Sequence, residues 1–250
     1  MSNFNPWHFG LATALVSSLI MGCARPRPAL APATATTIQN RVRAVFPNVI
    51  LGKPKTSGLD QPLAVQLAPL LIWETSSTPL EPARTVTVQS GITLLHNRWH
   101  RQFTYRWNDQ SVRITLNSAD QPVLWEIQRD STGATVLYAA QSLEHAARAE
   151  FGPALPTRKF SLERSSAEAP EVVLANVIED GPLAMGPILY LRGQPADVIA
   201  LICRCMPSQF QTVLETTEYE LQPYPVPPTQ PGADFSTNSL HQHLRLPRQF

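Results

Sequence analysis

Residues 103–116, FTYRWNDQSVRITL, contain the pattern that decides the fold class. Three aromatic residues alternate with Thr104 and Arg106, and a run of alternating aliphatic residues follows Asn108-Asp109. Alternation with a period of two is typical of a strand with one buried face. Asn and Asp between two such runs favour a tight turn. The stretch therefore predicts a β-hairpin.

Similar runs continue on the C-terminal side of this hairpin. Residues 123–127 and 134–140 extend it to a meander of four strands, and further strands are predicted at 171–178, 187–192, 198–206 and 211–221. Their short connections favour antiparallel pairing. We therefore expect an α+β fold, β-dominated, with an antiparallel sheet or sheets of meandering strands and one central helix at about 142–151.

The central helix is predicted at residues 143–151, between an N-cap residue, Ser142, and Gly152-Pro153, which end a helix. Residues 63–73, LAVQLAPLLIW, are apolar but contain Pro69, so helix and strand remain competing interpretations.

The sequence also predicts where two of the strands lie in the sheet. The run 198–206, VIALICRCM, is apolar on both faces, which places it at the centre of the sheet. Glu218 and Glu220 share one face of the last strand, where their charge would protect a sheet edge from aggregation.

The N-terminal region has the features of an export signal. Residues 9–21, FGLATALVSSLIM, are too short for a transmembrane helix, which needs about 20 apolar residues, but suit the core of a secretory signal. The next residues complete Ile20-Met21-Gly22-Cys23, which resembles the lipobox of bacterial lipoproteins.

This resemblance implies that residues 1–22 are a lipoprotein signal peptide and that Cys23 is the lipidation site. Acyl groups such as palmitate would then anchor the protein in the bacterial cell envelope, because each CH₂ buried in the membrane contributes about 0.8 kcal/mol of binding free energy. By resemblance to the sorting rules of enterobacterial lipoproteins, Ala24 after the cysteine favours the outer membrane over the inner one. Residues 1–8 contain no Lys or Arg. Ordinary cleaved secretion, or a buried apolar helix of an intracellular protein, therefore remain alternatives.

Proline-rich segments divide the remaining chain into three parts. Residues 23–39 are a lipid-anchored tether rich in Pro, Ala and Thr. Residues 40–222 are a single β-rich globular domain, and residues 223–250 are a Pro-rich linker and flexible tail.

Composition and motifs narrow the function classes. A net charge of +1 gives no electrostatic footprint for nucleic acid, and an apolar content of 43% suffices for a packed core. The sequence contains no nucleophile elbow, phosphate loop, dinucleotide fingerprint or zincin motif. No catalytic residue and no cofactor are therefore predicted.

Cys203 and Cys205 are the cysteines that remain after the anchor. In a strand they share a face with Cα atoms about 6.5–7 Å apart, so a disulfide between them would be strained and oxidising. The pair could also clamp copper(I) or zinc. The competing interpretation is that both are small buried hydrophobic residues. His145, in the predicted helix, is a candidate catalytic partner for either thiol.

His96 and His100 have the i, i+4 spacing of helical metal ligands, but their neighbours favour a strand. A strand separates them by about 13 Å, too far for one metal. We expect both to lie on a solvated polar face with Arg98, Gln102, Thr104 and Arg106; an alternative is a basic patch that meets anionic lipid or glycan.

Two functions of different class follow. The first is an envelope lipoprotein, held on the membrane through Cys23, whose non-enzymatic domain binds an envelope protein or glycan or assists assembly. The second is a periplasmic thiol-redox or soft-metal-handling protein that acts through Cys203 and Cys205.

The anchor predicts a specific mature N terminus. Mass spectrometry of the protein from bacterial membranes should find a chain that begins at Cys23 and carries diacylglycerol and an N-acyl group. A chain that retains Met1, or an uncleaved chain in the cytosol, would contradict lipidation.

Overall fold

A computed structural model describes residues 49–55, 61–74, 83–128, 135–164, 172–181, 183–192, 197–202, 215–225, 240 and 243–250. These residues form strands β1 (Val49–Pro54), β2 (Leu70–Glu74), β3 (Thr85–Leu95), β4 (Arg98–Trp107), β5 (Gln110–Leu116), β6 (Pro122–Gln128), β7 (Thr135–Ala140), β8 (Val172–Ile178), β9 (Ile188–Arg192), β10 (Asp197–Ile202) and β11 (Glu215–Pro223). Two helices accompany them, α1 (Pro62–Gln66) and α2 (Gln141–Phe151). The predicted β-dominated architecture is confirmed. Neither of these two helices is long and apolar enough to span a membrane.

Strands β3 to β7 form an antiparallel meander that contains the predicted hairpin. Trp107 pairs with Gln110 across β4 and β5, so Asn108 and Asp109 form the turn between them. Asn108 has φ of 47°, a left-handed conformation that Asn tolerates better than most residues. The four-stranded meander predicted from alternation is therefore confirmed.

The sheet as a whole is mixed, and the prediction of purely antiparallel strands is wrong. Its order is β10-β9-β2-β1-β11-β3-β4-β5-β6-β7-β8. β2 lies parallel to β9, β11 to both β1 and β3, and β7 to β8. Parallel neighbours need long crossovers, and α2 lies in the one between β7 and β8. Short connections inform only about consecutive strands, which is why the expectation failed for β2 with β9 and for β11 with β1 and β3; β7 and β8 are consecutive, but the connection that contains α2 is long enough for a parallel crossover.

Strand β11 joins two parts of the sheet. Residues 215–219 of β11 pair with β1, and residues 220–223 pair with β3. The four-stranded part (β10, β9, β2, β1) and the six-stranded part (β3 to β8) are therefore connected through successive halves of one strand. A strand that changes partners along its length lets a sheet turn a corner.

The two parts of the sheet share one hydrophobic core. Trp73 and Leu189 from the four-stranded part cluster with Trp107 and Ile114 from the meander. The Tyr105 hydroxyl of β4 donates to the Ala64 carbonyl of α1 over 2.7 Å. The sheet is thus curled around this core.

Helix α2 occupies the predicted place, but its N terminus is stabilised differently. The N-cap residue is Ala140, and Ser142 lies inside the first turn. Asp180, after β8, accepts hydrogen bonds from the Ser142 backbone N–H (2.8 Å) and hydroxyl (2.5 Å). Gly152 ends the helix with φ of 81°, as predicted. The Asp180 carboxylate, and not the Ser142 side chain, therefore accepts a backbone hydrogen bond at the helix N terminus.

Two strand positions also differ from expectation. β10, predicted at the sheet centre, is an edge strand that pairs only with β9 among the described strands. A bulge at Ile199 lets Val198 and Leu201 both turn inward while Ile199 is 46% exposed. β11, predicted as an edge, lies inside the sheet; Glu218 and Glu220 do share its exposed face.

The ambiguous segment 63–73 contains both predicted elements. α1 ends at Gln66, and β2 begins at Leu70, directly after Pro69. Proline cannot continue the helix, and it precedes the strand, where it removes no ladder hydrogen bond.

Gly186, in the connection before β9, packs against the backbone between α1 and β2, and its substitution tests this contact. A Cβ at Gly186 would lie 2.2 Å from the Leu67 carbonyl oxygen and 2.3 Å from that of Ala68, whereas a Cβ at Gly91 meets nothing within 4 Å. Gly186→Ala should lower the free energy of unfolding in urea by about 2–3 kcal/mol, because backbone must shift. Gly91→Ala should not lower it. Equal stability of the two variants would contradict the contact.

Candidate functional site

The predicted lipidation, redox and metal residues lie largely outside the described ranges. Cys23, Cys203 and Cys205 are all in this group, and the last described residue of β10 is Ile202. His145 is described and lies on the exposed side of α2, whereas Leu143 and Ala147 form the buried side. The thiol hypothesis and its pairing with His145 therefore stay predictions.

His96 and His100 contact the C-terminal segment; His96 is exposed, as predicted, whereas His100 and Thr104 are buried, so the prediction of a solvated face is wrong for these two residues. His96 lies in the β3–β4 turn with φ of 48°, and its Nε2–H donates to the Leu246 carbonyl over 2.9 Å. His100 is 4% exposed, donates from Nδ1 to the Leu116 carbonyl over 2.9 Å, and stacks on Phe250 with ring centroids 4.7 Å apart.

Residues 243–250 pack on the domain and differ from the predicted flexible tail. Leu244 and Leu246 are each 2% exposed, and Leu244 forms an antiparallel bridge with Glu163. The Arg245 backbone N–H donates to the Leu162 carbonyl over 2.7 Å. The tail is polar overall, so its composition predicted flexibility. The signal for packing was the three leucines Leu240, Leu244 and Leu246, which are buried.

An exposed apolar surface lies on the same hairpin. Ile92, Leu94 and Trp99, which we call the hairpin patch, are 64%, 40% and 67% exposed. Leu94 and Trp99 pair directly across β3 and β4. β5 pairs with β4 only from Gln102 onward, so the tip of the hairpin extends beyond its neighbour. Side chains that would be buried in a full sheet are therefore exposed at this tip.

The six-stranded part also contains a buried ion pair. Arg113 of β5 and Glu126 of β6 are direct cross-strand partners, 7% and 1% exposed, with Nη1 and Oε1 4.0 Å apart. Desolvation raises the pKa of Glu126 from 4.5 to about 7, although the Arg113 charge acts in the opposite direction. The second carboxylate oxygen, Oε2, has no hydrogen-bond partner within the described residues.

A carboxyl group that titrates near neutrality is one property of a general acid or base. Neither Arg113 nor Glu126, however, lines either of two clefts on the described surface. One cleft adjoins the β3–β4 turn and Arg248; the other lies between the ends of β8 and β10. We therefore regard the pair as structural. Among the described residues, no three His, Cys, Asp or Glu side chains lie close enough to hold a metal.

Comparisons of the chain with protein-family models, curated proteins and solved structures gave no match.

The raised pKa of Glu126 predicts a pH-dependent stability. Between pH 4.5 and about 7 the folded state keeps a proton that the unfolded state releases, so stability falls as pH rises through this window. The resulting loss of unfolding free energy is on the order of 3 kcal/mol, and it is complete once the pH exceeds the folded-state pKa of Glu126. Urea denaturation at pH 5 and pH 8 should show this loss in the wild type and not in Glu126→Gln.

The exposed Glu218 provides the control, because Glu218→Gln removes a carboxylate that is 52% exposed in its pair with Lys53. This variant should keep the wild-type pH dependence. If Glu126→Gln also kept it, Glu126 would be ionised in the folded state throughout the range.

Proposed function

We propose that this chain is a bacterial cell-envelope lipoprotein whose β-rich domain binds a partner or assists assembly and does not act as an enzyme. The anchor is the proposed lipid on Cys23, and residues 23–39 are the proposed tether. The observation that carries the binding role is the hairpin patch. It contains three of the large hydrophobic residues that are exposed on the described surface.

The hairpin patch has the properties of a protein-interaction surface. Trp is enriched at the centres of interfaces because it supplies a large contact area with few rotatable bonds. Trp99 is two-thirds exposed beside Leu94, and contiguous apolar surface of this kind is characteristic of recognition sites. The C-terminal segment supports the hairpin from His96 and His100, so the patch is held on a fixed structure.

A site-specific cross-link tests this proposal in living cells. A photoreactive amino acid replaces Trp99 in the full chain, expressed in bacteria that carry the gene naturally, and Ile199 is replaced in the matched control. The residue at position 99 should form one reproducible adduct in the membrane fraction with an envelope protein or glycan, and position 199 should not. The absence of an adduct at 99 from a folded, membrane-bound protein would contradict the binding role.

Substitution of the hairpin patch gives a complementary prediction. The triple variant Ile92→Thr, Leu94→Thr and Trp99→Thr should lose the partner, because its apolar contact area is removed. Its free energy of unfolding should change by no more than about 0.5 kcal/mol per site, because these side chains are exposed and Thr favours strands. Co-purification and urea denaturation measure the two effects.

The control is a variant with Val173→Thr and Ile199→Thr, which alters exposed apolar residues elsewhere, 40% and 46% accessible. It should retain the partner. If both variants lost it equally, the hairpin patch would have no specific role.

A further inference from the structure

The cleft between the ends of β8 and β10 has the character of a small-molecule site. Its volume is about 290 Å³. The apolar part of its wall comes from four separate stretches of chain: Trp125 of β6, Ile178 of β8, Met185 before β9 and Leu201 of β10. A concave, mainly apolar surface with a few polar groups is the usual form of a ligand pocket, and this volume is near the lower limit for one.

Trp125 contributes an unsatisfied polar group to this wall. The side chain is 7% exposed, and its indole Nε1 is buried with no hydrogen-bond acceptor among the described residues. A buried donor without an acceptor costs about 1–3 kcal/mol, so such groups are uncommon in proteins. The described residues therefore leave this N–H without an acceptor at a side chain that lines the cleft.

The charged side chains among the described lining residues have one sign. They are Glu179 and Asp180, and no described Lys, Arg or His residue lines the cleft. Asp180 is held by Ser142 at the N terminus of α2, which offsets part of its charge. Glu179 is exposed and forms no ion pair within the described part of the chain. The cleft is therefore apolar inside and anionic at Glu179.

We propose that this cleft binds a small amphipathic cation, an aromatic ring linked by a short chain to a primary ammonium group. The ring lies against Trp125 and Leu201, where it displaces water from apolar surface. The ammonium group lies beside the Glu179 carboxylate. The volume admits one ring with a two-carbon chain, and the two carboxylates among the described lining residues disfavour an anionic head. This inference does not depend on the lipid anchor or on the hairpin patch.

Titration of the full-length mature protein with 2-phenylethylammonium chloride tests the proposal. We expect saturable binding with a Kd below about 1 mM, a change in tryptophan fluorescence that is lost in Trp125→Phe, and weaker binding at higher salt. The matched probe is 3-phenylpropionate, which has the same ring and a similar chain but the opposite charge. It should bind at least about tenfold more weakly.

Two glutamate variants separate specific from general electrostatic effects. Glu179→Gln should weaken binding of the ammonium probe about fivefold at low salt, the size of effect typical of an exposed ion pair. Glu215→Gln removes an exposed carboxylate that does not line the cleft, and it should leave the affinity unchanged. Both sites are exposed, so folding should be retained, and the unfolding midpoint of each variant verifies this.

Three results would overturn the proposal. They are no saturable binding of 2-phenylethylammonium up to about 10 mM, equal affinity for the ammonium and the carboxylate probe, and an affinity unchanged in Glu179→Gln. Because the probe acts on the cleft alone, any of these results leaves the proposed envelope function untouched. Failure of the cross-link at position 99 would likewise leave the cleft proposal standing.

Discussion

The structure depends on the pairing of β11 with two different strands. Tyr219, the last residue of β11 to pair with β1, is fully buried, and its hydroxyl donates to the Pro69 carbonyl over 2.6 Å. The next residue, Glu220, pairs with Thr85 of β3 and donates its backbone N–H to the Arg84 carbonyl. The change of partner between these two residues connects the four-stranded and six-stranded parts. Without it, neither part would be positioned to cover the other's core face.

Sequence periodicity predicted the local elements well and the long-range arrangement poorly. Residues 103–116 specify their own hairpin, because alternation and turn residues act over a few positions. The partners of β11 lie more than a hundred residues away and depend on which surfaces remain unpaired after the meander forms. β10 shows the same limit: its apolar composition suggested a central strand, but a bulge at Ile199 lets an edge strand bury Val198 and Leu201.

The hairpin patch and the cleft could not be predicted from the sequence, because both depend on how distant strands pair. The exposure of Trp99 follows from the register of β4 with β5, which begins at Gln102 and leaves the hairpin tip without a neighbour. The cleft brings Trp125, Ile178 and Leu201 together from distant parts of the sequence. The histidines show the converse case. The strand pattern predicted that both lie on a solvated face; His96 is exposed but His100 is buried, and they contact Leu246 and Phe250, which no local pattern connects with them.

Amide hydrogen exchange across β11 tests this account most directly. If β11 joins the two parts of the sheet, the backbone amides of residues 217–221 should exchange only through global unfolding, with the same free energy as amides in β1 and β3. All three strands should also lose protection together as urea is added. Rapid exchange of β11 at a free energy several kcal/mol below that of β3 would show that the strand is peripheral, and would contradict the account.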